Sequence, residues 1–521
     1  MTIGEMLSEQ ARLHPTTVAL IDARSGRRLT FAALEEAVAQ AAGWWQLRGL
    51  RRGQAVLVFV PMSIDLYVAL LGLFRIGVVA LFLDPSAGIE HLEKCCERWP
   101  PDAFLAIPKA HLLRLRSAAL RRIPLKISLR CWIPGARRWP TDEQVVPQRK
   151  SCAESDDAAL VTFTSGSTGV PKAAVRTHRF LLDQYRALAP GIALEIGDID
   201  YATLPVFVLA NLAAGITTVL PGVDLRRPGR VDAQQAFTEI EAHGVTRVTA
   251  SPAFFERLIA HGQGTGRTLA SLKKIHTGGA PVFLRVLDGL RLVAPTAQIV
   301  AVYGSTEAEP IAHIDLVEVT QEDRAAMMRG EGLLAGKPVS EIRWAILQDQ
   351  WGQPRADLTE HAFSTSRVPV GQIGEIVVTG DHVLKGYLQG VGNQETKFRV
   401  GNEVWHRTGD AGSVDSAGRL WLHGRCAAVI NDERGRLYPF GVECAAMMFA
   451  QVLRAAVLSE GGKRLLVIEG KLDTHETRRL AEATAWAHID RICPIPQLPV
   501  DKRHNAKVDY PELRKLLHRS G

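Results

Sequence analysis

Apolar positions along the chain recur with two periods. Residues 29–49 carry them at helical spacing behind Thr30, a hydroxyl residue suited to an N-cap, and 55–60 form a continuous apolar run of buried-strand type. A helical stretch, 64–75, and a second apolar run, 78–83, come next and end at Asp84-Pro85. This strand–helix–strand rhythm predicts an α/β layer. Beyond a helix over 179–188, four more apolar runs end in small or polar residues. They are 202–204 before Pro205, 245–250 before Ser251-Pro252, 275–276 before Thr277-Gly278-Gly279-Ala280, and 299–302 before Tyr303-Gly304-Ser305-Thr306-Glu307. Helical segments at 232–243, 253–261 and 282–293 separate them. Parallel sheets bind ligands outside the carboxyl ends of their strands, so several loops are expected to converge on one site.

From about residue 332 the pattern changes to strands and turns. Residues 373–379 and 404–406 read as strands, and Asp415-Ser416-Ala417-Gly418 as a hairpin turn into 419–423. Gly424-Arg425 opens a further region with a strand and helix pattern and a basic tail. Two Gly-x-Gly clusters, Gly262/Gly264/Gly266 and Gly330/Gly332/Gly336, read as loops. The fold class expected is α/β. A large N-terminal domain, 1–425, combines α/β layers with a β-barrel-like subdomain from about 332, and a small α+β C-terminal domain spans 426–521.

Length and composition narrow the classes. At 521 residues the chain is long enough for two or three domains, with no repeats or low-complexity runs. Seven cysteines, an odd number without a Cys-x-x-Cys pair, favour reduced thiols and a cytoplasmic location over a disulfide framework. The start is polar and shows no signal peptide, and the most apolar stretch, 68–83, is interrupted by Arg75 and is short for a membrane span. A net charge of +7 over this surface does not imply nucleic acid. One segment departs from the average: residues 109–138 hold nine Lys/Arg and no acid, interleaved with leucines. It reads first as a solvated face, and second as a contact for an acyl carrier protein or a membrane surface.

The densest chemistry lies at 162–172, Thr-Phe-Thr-Ser-Gly-Ser-Thr-Gly-Val-Pro-Lys. Hydroxyls at Thr164, Ser165, Ser167 and Thr168, glycines at Gly166 and Gly169, and the cation of Lys172 form a cradle suited to polyphosphate. It differs from the Walker loop, since Ala173 stands where that loop places its Mg²⁺-binding hydroxyl. A Ser/Thr/Gly linker is the plain alternative; the order of residues argues for the cradle. That order resembles the phosphate-binding signature of the adenylate-forming superfamily, which includes acyl-CoA synthetases, peptide-synthetase adenylation domains and luciferases. Five further motifs stand in the superfamily's order: Thr277–Pro281, Tyr303–Glu307, Arg407-Thr408-Gly409-Asp410, Gly424-Arg425 and Lys507.

The resemblance implies ATP and Mg²⁺ as cofactors and activation of a carboxylic acid as an acyl-adenylate. It implies that the cradle holds the phosphates, with Gly278, Gly279 and Ala280 as a floor for adenine and Tyr303 stacked on it, Gly304 and Ser305 lying alongside. Thr306 would contact the α-phosphate, Glu307 would hold Mg²⁺, and Asp410 and Arg425 would bind the ribose. Lys507 would bridge the substrate carboxylate and the α-phosphate, and 426–521 would move as a small domain about a hinge. The run 204–222 is apolar and lacks the acid that captures amino-acid substrates, so an aliphatic acyl pocket is expected there, at Phe207, Val208, Leu209 and Asn211.

Departures from the pattern fall after Arg425. The hinge reads Cys426-Ala427-Ala428, 431–443 lacks a clean counterpart of the glycine loop that lines a pantetheine tunnel, and Ala506 stands where glycine usually precedes the lysine. Transfer of the acyl group to CoA is the first expectation. Closure of an adenylated β-hydroxy acid to a β-lactone, as in the β-lactone synthetases this ending resembles, is the second. A non-catalytic adenylate-binding protein is the third.

Overall fold

The computed structural model describes residues 1–83, 87–141, 143–165, 171–500 and 508–520, with backbone alone at Thr164, Ser165, Arg519 and Ser520. The chain is mixed α/β, with a large N-terminal region and a smaller C-terminal one, and forms two compact units. The first comprises 1–222, 242–245 and 384–393; the second comprises 223–241, 246–383 and 394–521. The boundary expected at 425 falls within the second unit.

The first unit is built on the α/β rhythm of its sequence. Its seven-stranded sheet runs, in spatial order, Arg137–Trp139, Leu125–Leu129, Ala103–Ala106, Ala55–Phe59, Val79–Phe82, Ala158–Ser165, Pro171–Thr177. All pairs are parallel except the last, which is antiparallel. Alternate side chains point to opposite faces. Val56 and Val58 therefore join a core with helices Phe31–Leu47 and Ile64–Arg75, while Ala55, Leu57 and Phe59 pack with Leu92, Cys95 and Cys96 of helix Ile89–Arg98. Every residue of Ile64–Arg75 is buried, which accounts for its apolar run from Leu66 to Phe74. Among the described residues no helix is long and apolar enough to cross a membrane.

In the second unit, strands Arg247–Ala250, Lys274–Thr277 and Gln298–Ser305 are parallel neighbours, as their apolar runs predict. Strand Ala308–Asp315 then turns back antiparallel and leads to Leu333–Pro338. Strands Arg343–Leu347, Gly374–Thr379, Lys397–Val400, Glu403–Val414 and Leu420–Arg425 extend the antiparallel part. From Ile430 onward a smaller core forms around helix Pro439–Met447 and the strands Val452–Glu460, Lys463–Gly470 and Arg491–Ile495. The loop reading of the glycine clusters needs correction. Gly262 and Gly264 lie inside helix Pro252–Thr265, and Gly336 lies in strand Leu333–Pro338. A Cβ on Gly262 would stand 2.5 Å from Val293 Cγ1, so this glycine serves the close packing of two helices.

Candidate functional site

The second unit gathers most of the expected nucleotide-binding residues at strand ends. Gly278 follows strand Lys274–Thr277, and a Cβ on it would lie 2.7 Å from the carbonyl oxygen of Val302, so only glycine lets the two strand ends approach this closely. Gly279 adopts a positive φ of 78°, turning the chain toward Ala280. Tyr303, Gly304 and Ser305 complete the neighbouring strand, and Thr306 and Glu307 form the turn into Ala308–Asp315. All five are half-buried. The Glu307 N–H donates to the Ser305 hydroxyl at 3.3 Å.

Asp410 is the centre of this arrangement. Its Oδ2 accepts from the Tyr303 hydroxyl at 2.8 Å, and its Oδ1 from Arg425 Nη1 at 2.7 Å. Asp410 and Arg425 are cross-strand partners in the register of Glu403–Val414 with Leu420–Arg425, which fixes their approach. Burial, then the charge of Asp410, holds the Tyr303 phenol well above its ordinary value, so it is a donor at any working pH. The Arg425 guanidinium is held further toward its charged form by Asp410 first, with contributions from Tyr303 and Glu307.

The residues that aim Asp410 explain the rest of the Arg-Thr-Gly-Asp motif. Arg407 is 1% exposed and pairs with the fully buried Glu375 at 2.8 Å, while its Nη1 donates to the Gln353 carbonyl at 2.7 Å. Thr408 Oγ1 donates to the Ile376 carbonyl at 2.8 Å and accepts the Asp410 N–H at 3.0 Å. Gly409 has φ +70°, and a Cβ there would lie 2.7 Å from the Trp351 ring. Glu375, Ile376 and Trp351 were not singled out in the sequence. They are separated from the motif along the chain; strand pairing brings Glu375 and Ile376 to it, and packing against Gly409 brings Trp351. At Gly424, φ +96°, a Cβ would stand 2.6 Å from Phe440 Cβ, which accounts for glycine before Arg425.

In the first unit, Lys172 is the second residue of strand Pro171–Thr177 and is 8% exposed. Its ammonium lies 5.8 Å from the centroid of the Tyr387 ring. A Cβ at Gly392 would come within 2.6 Å of the lysine stem, so both are needed for its pose and neither had a local signal. The backbone register pairs Thr164 with Lys172 and Ser165 with Pro171. Gly166, Ser167, Thr168, Gly169 and Lys507 lie outside the described residues, as do the side chains of Thr164 and Ser165.

The expected acyl-pocket residues occupy helix Pro205–Ala213. Phe207 packs with Leu188 and Ile192, and Val208 and Leu209 belong to the main core of the first unit. Asn211 is buried and donates to Asp200 Oδ2 at 2.7 Å. The cavity beside Leu209, bounded by Leu188 and Val206, is about 20 Å³. A larger one, about 530 Å³, is lined by Trp44, Asp65, Trp139 and their neighbours and contains none of the expected residues. Among the described residues no cluster of three or more His, Cys, Asp or Glu could hold a metal by itself.

A family profile described as "AMP-binding enzyme" matches residues 7–388. The chain belongs to this family. As a member it is an adenylate-forming enzyme that activates a carboxylic acid. Two curated relatives are olefin β-lactone synthetases. One, from Stenotrophomonas maltophilia, is 32% identical over 89% of this chain and 87% of its own length. The other, from Xanthomonas campestris pv. campestris, is 31% identical over 93% and 90%. A 4-coumarate–CoA ligase-like protein of Oryza sativa subsp. japonica is 27% identical over 86% of this chain and 79% of that protein. Among solved structures, an anthranilate CoA ligase in complex with anthranoyl-AMP superposes with a TM-score of 0.80 at 16% identity, covering 100% of this chain and 98% of its own. The O-succinylbenzoate coenzyme A synthetase of Bacillus subtilis, in complex with ATP and magnesium ion, gives 0.75 at 22% identity, covering 98% and 99%. These likenesses support the adenylate-forming fold expected from the motifs.

Proposed function

We propose that the enzyme adenylates an aliphatic β-hydroxy acid and that the substrate's own hydroxyl then displaces AMP, closing a β-lactone. The observation that carries this reading is the pair of olefin β-lactone synthetases, 31–32% identical over about nine-tenths of the chain, ahead of the 27% of the CoA-ligase relative. It reverses the order expected from the sequence, where transfer to CoA stood first.

The geometry of the second unit supports the residue roles. Each oxygen of Asp410 already accepts one hydrogen bond, and a carboxylate has roughly four acceptor sites, so two remain for the ribose hydroxyls. Gly278, Gly279 and Ala280 form the floor for adenine, with Tyr303 against the base, Gly304 and Ser305 beside it and Thr306 at the α-phosphate. Glu307 supplies one carboxylate, which suits Mg²⁺, an ion that takes its remaining ligands from phosphate oxygens and water. The 164–172 segment with Lys172 holds the departing pyrophosphate. Lys507, on a small domain formed by 426–521 that moves about the Cys426–Ala428 turn, brings carboxylate and α-phosphate together.

In the second step the hydroxyl oxygen bonds to the acyl carbon, the bond from that carbon to the AMP oxygen breaks, and the hydroxyl proton leaves. No second substrate is needed, because nucleophile and electrophile share one molecule. The CoA-ligase relatives favour a second reading, in which a CoA thiol replaces that hydroxyl. The test is mass spectrometry of a long-chain β-hydroxy acid incubated with ATP and Mg²⁺, with and without excess CoA. A product lighter than the acid by one water, formed equally fast without CoA, is expected. An acyl-CoA mass formed only with CoA would assign the thiol as acceptor, and ADP in place of AMP would reject both readings.

A further inference from the structure

The basic stretch 109–138 contains none of the residues assigned above to adenylation, and the first unit gives it a defined surface. The helical turn Pro108–His111 runs directly into a 3₁₀ turn, Leu112–Leu115, anchored where His111 Nε2 meets the Ile127 carbonyl at 3.1 Å. Three residues per turn place Leu112 and Leu115 on one edge and Leu113 on another. Leu113 packs against the core beside Ala110 and Ala119, whereas Leu112 and Leu115 are 62% and 78% exposed.

A third large apolar group stands on the loop joined to this turn. Trp132 is 72% exposed. Its loop is held by Arg114 Nη1, which donates to the Pro134 carbonyl at 3.1 Å, and Gly135 leaves room for the other Arg114 nitrogen. Arg121 closes the opposite side, donating to the carbonyls of Arg114 and Leu115 at 2.9 and 3.3 Å. Lys109, Arg116, Arg121, Arg122, Arg137 and Arg138 are also exposed. Arg130 pairs with Asp65, but among the described residues Lys109, Arg116, Arg122 and Arg137 have no carboxylate partner. The nearby Glu93 is occupied by the Ala118 N–H and the Ser117 hydroxyl.

We propose that this face seats the enzyme on an anionic lipid surface. Leu112, Leu115 and Trp132 enter the boundary between headgroups and acyl chains, while the unpaired cations meet headgroup phosphates. The three apolar groups protrude rather than line a groove, which suits a bilayer better than a protein partner that must supply a matching pocket. Trp is moreover a residue of membrane interfaces. The proposal is independent of which acceptor completes the reaction.

The test is co-sedimentation of the full chain with phosphatidylcholine vesicles containing about 30 mol% phosphatidylserine, against phosphatidylcholine alone. Binding to the anionic vesicles, lost at high salt, is expected. The variant Leu112→Ser/Leu115→Ser/Trp132→Ser should bind at least about tenfold more weakly. Arg116→Gln/Arg122→Gln should lose roughly fivefold per residue, with turnover of a short soluble acid unchanged. Equal binding to both vesicle types, or by wild type and the triple variant, would overturn the proposal. Binding of an acyl carrier protein at these residues without vesicle binding would overturn it in favour of an acidic protein.

Discussion

Replacing Glu443 by glutamine should remove a pH dependence from the C-terminal core. Glu443 lies in helix Pro439–Met447 and is 9% exposed. Its Oε1 accepts both the Val457 N–H at 2.9 Å and the Tyr510 hydroxyl at 3.2 Å. Burial raises the carboxyl from 4.5 to about 7, and these two donors offset only part of that. The folded state thus keeps a proton that the unfolded chain releases near its ordinary value. Stability is full below about pH 4.5, falls as pH rises by at most about 1.4 kcal/mol per unit, and levels off above pH 7. Between pH 5 and pH 8 this one group should cost about 2–3 kcal/mol. Glutamine keeps an oxygen for both donors and never ionises. Its extra N–H adds an offset that is the same at both pH values and cancels in the difference. Hydrogen exchange of strand Val452–Glu460, read by mass spectrometry, reports the local opening. The ratio of protection between variant and wild type should rise roughly 50-fold from pH 5 to pH 8. Parallel behaviour of the two proteins across that range would refute the assignment.

The site itself yields two further expected outcomes. Lys507→Ala should slow acyl-adenylate formation by roughly 10²–10³ while ATP affinity stays near normal, since its proposed contacts are to the reacting atoms; pyrophosphate release at the wild-type rate would reduce it to surface charge. Glu375→Ala leaves the Arg407 guanidinium buried and unpaired, and should destabilise the second unit by about 3–5 kcal/mol in urea unfolding. An unchanged midpoint would show that the pair does not hold the Asp410 strand.

The parallel layers were legible because buried strands and helices leave unbroken or periodic apolar runs, as at Ala55–Phe59 and Ile64–Arg75. The helical glycines were misread because what makes Gly262 tolerable is a neighbouring helix, Leu284–Val293, and not its own segment. The motifs named the groups proposed to face a ligand but not those that aim them. Asp410 could be picked from Arg-Thr-Gly-Asp, yet its orientation depends on Glu375, Ile376 and Trp351. Lys172 likewise rests on Tyr387 and Gly392, which lie far along the chain. Such partners are fixed by register and packing, and neither leaves a local pattern.

The two half-reactions differ in legibility for a related reason. Adenylation needs fixed donors and carboxylates on and beside strands, and such positions carry a recognisable mixture of glycine, hydroxyl and acid. The departures bearing on the proposed acceptor step fall beyond Arg425, where Cys426 is buried, the Arg436 guanidinium and the Tyr438 hydroxyl both reach Asp349, and Glu443 ties Tyr510 to the core. These contacts give Arg436, Tyr438 and Glu443 structural partners. The resemblance implies that a thiol acceptor would be brought in along such a segment, whereas an internal hydroxyl arrives with the substrate. On the proposed reading, a segment with no clean tunnel glycine would be tolerable for cyclisation and a liability for thioester formation, which is why the discriminating measurement is made with and without CoA.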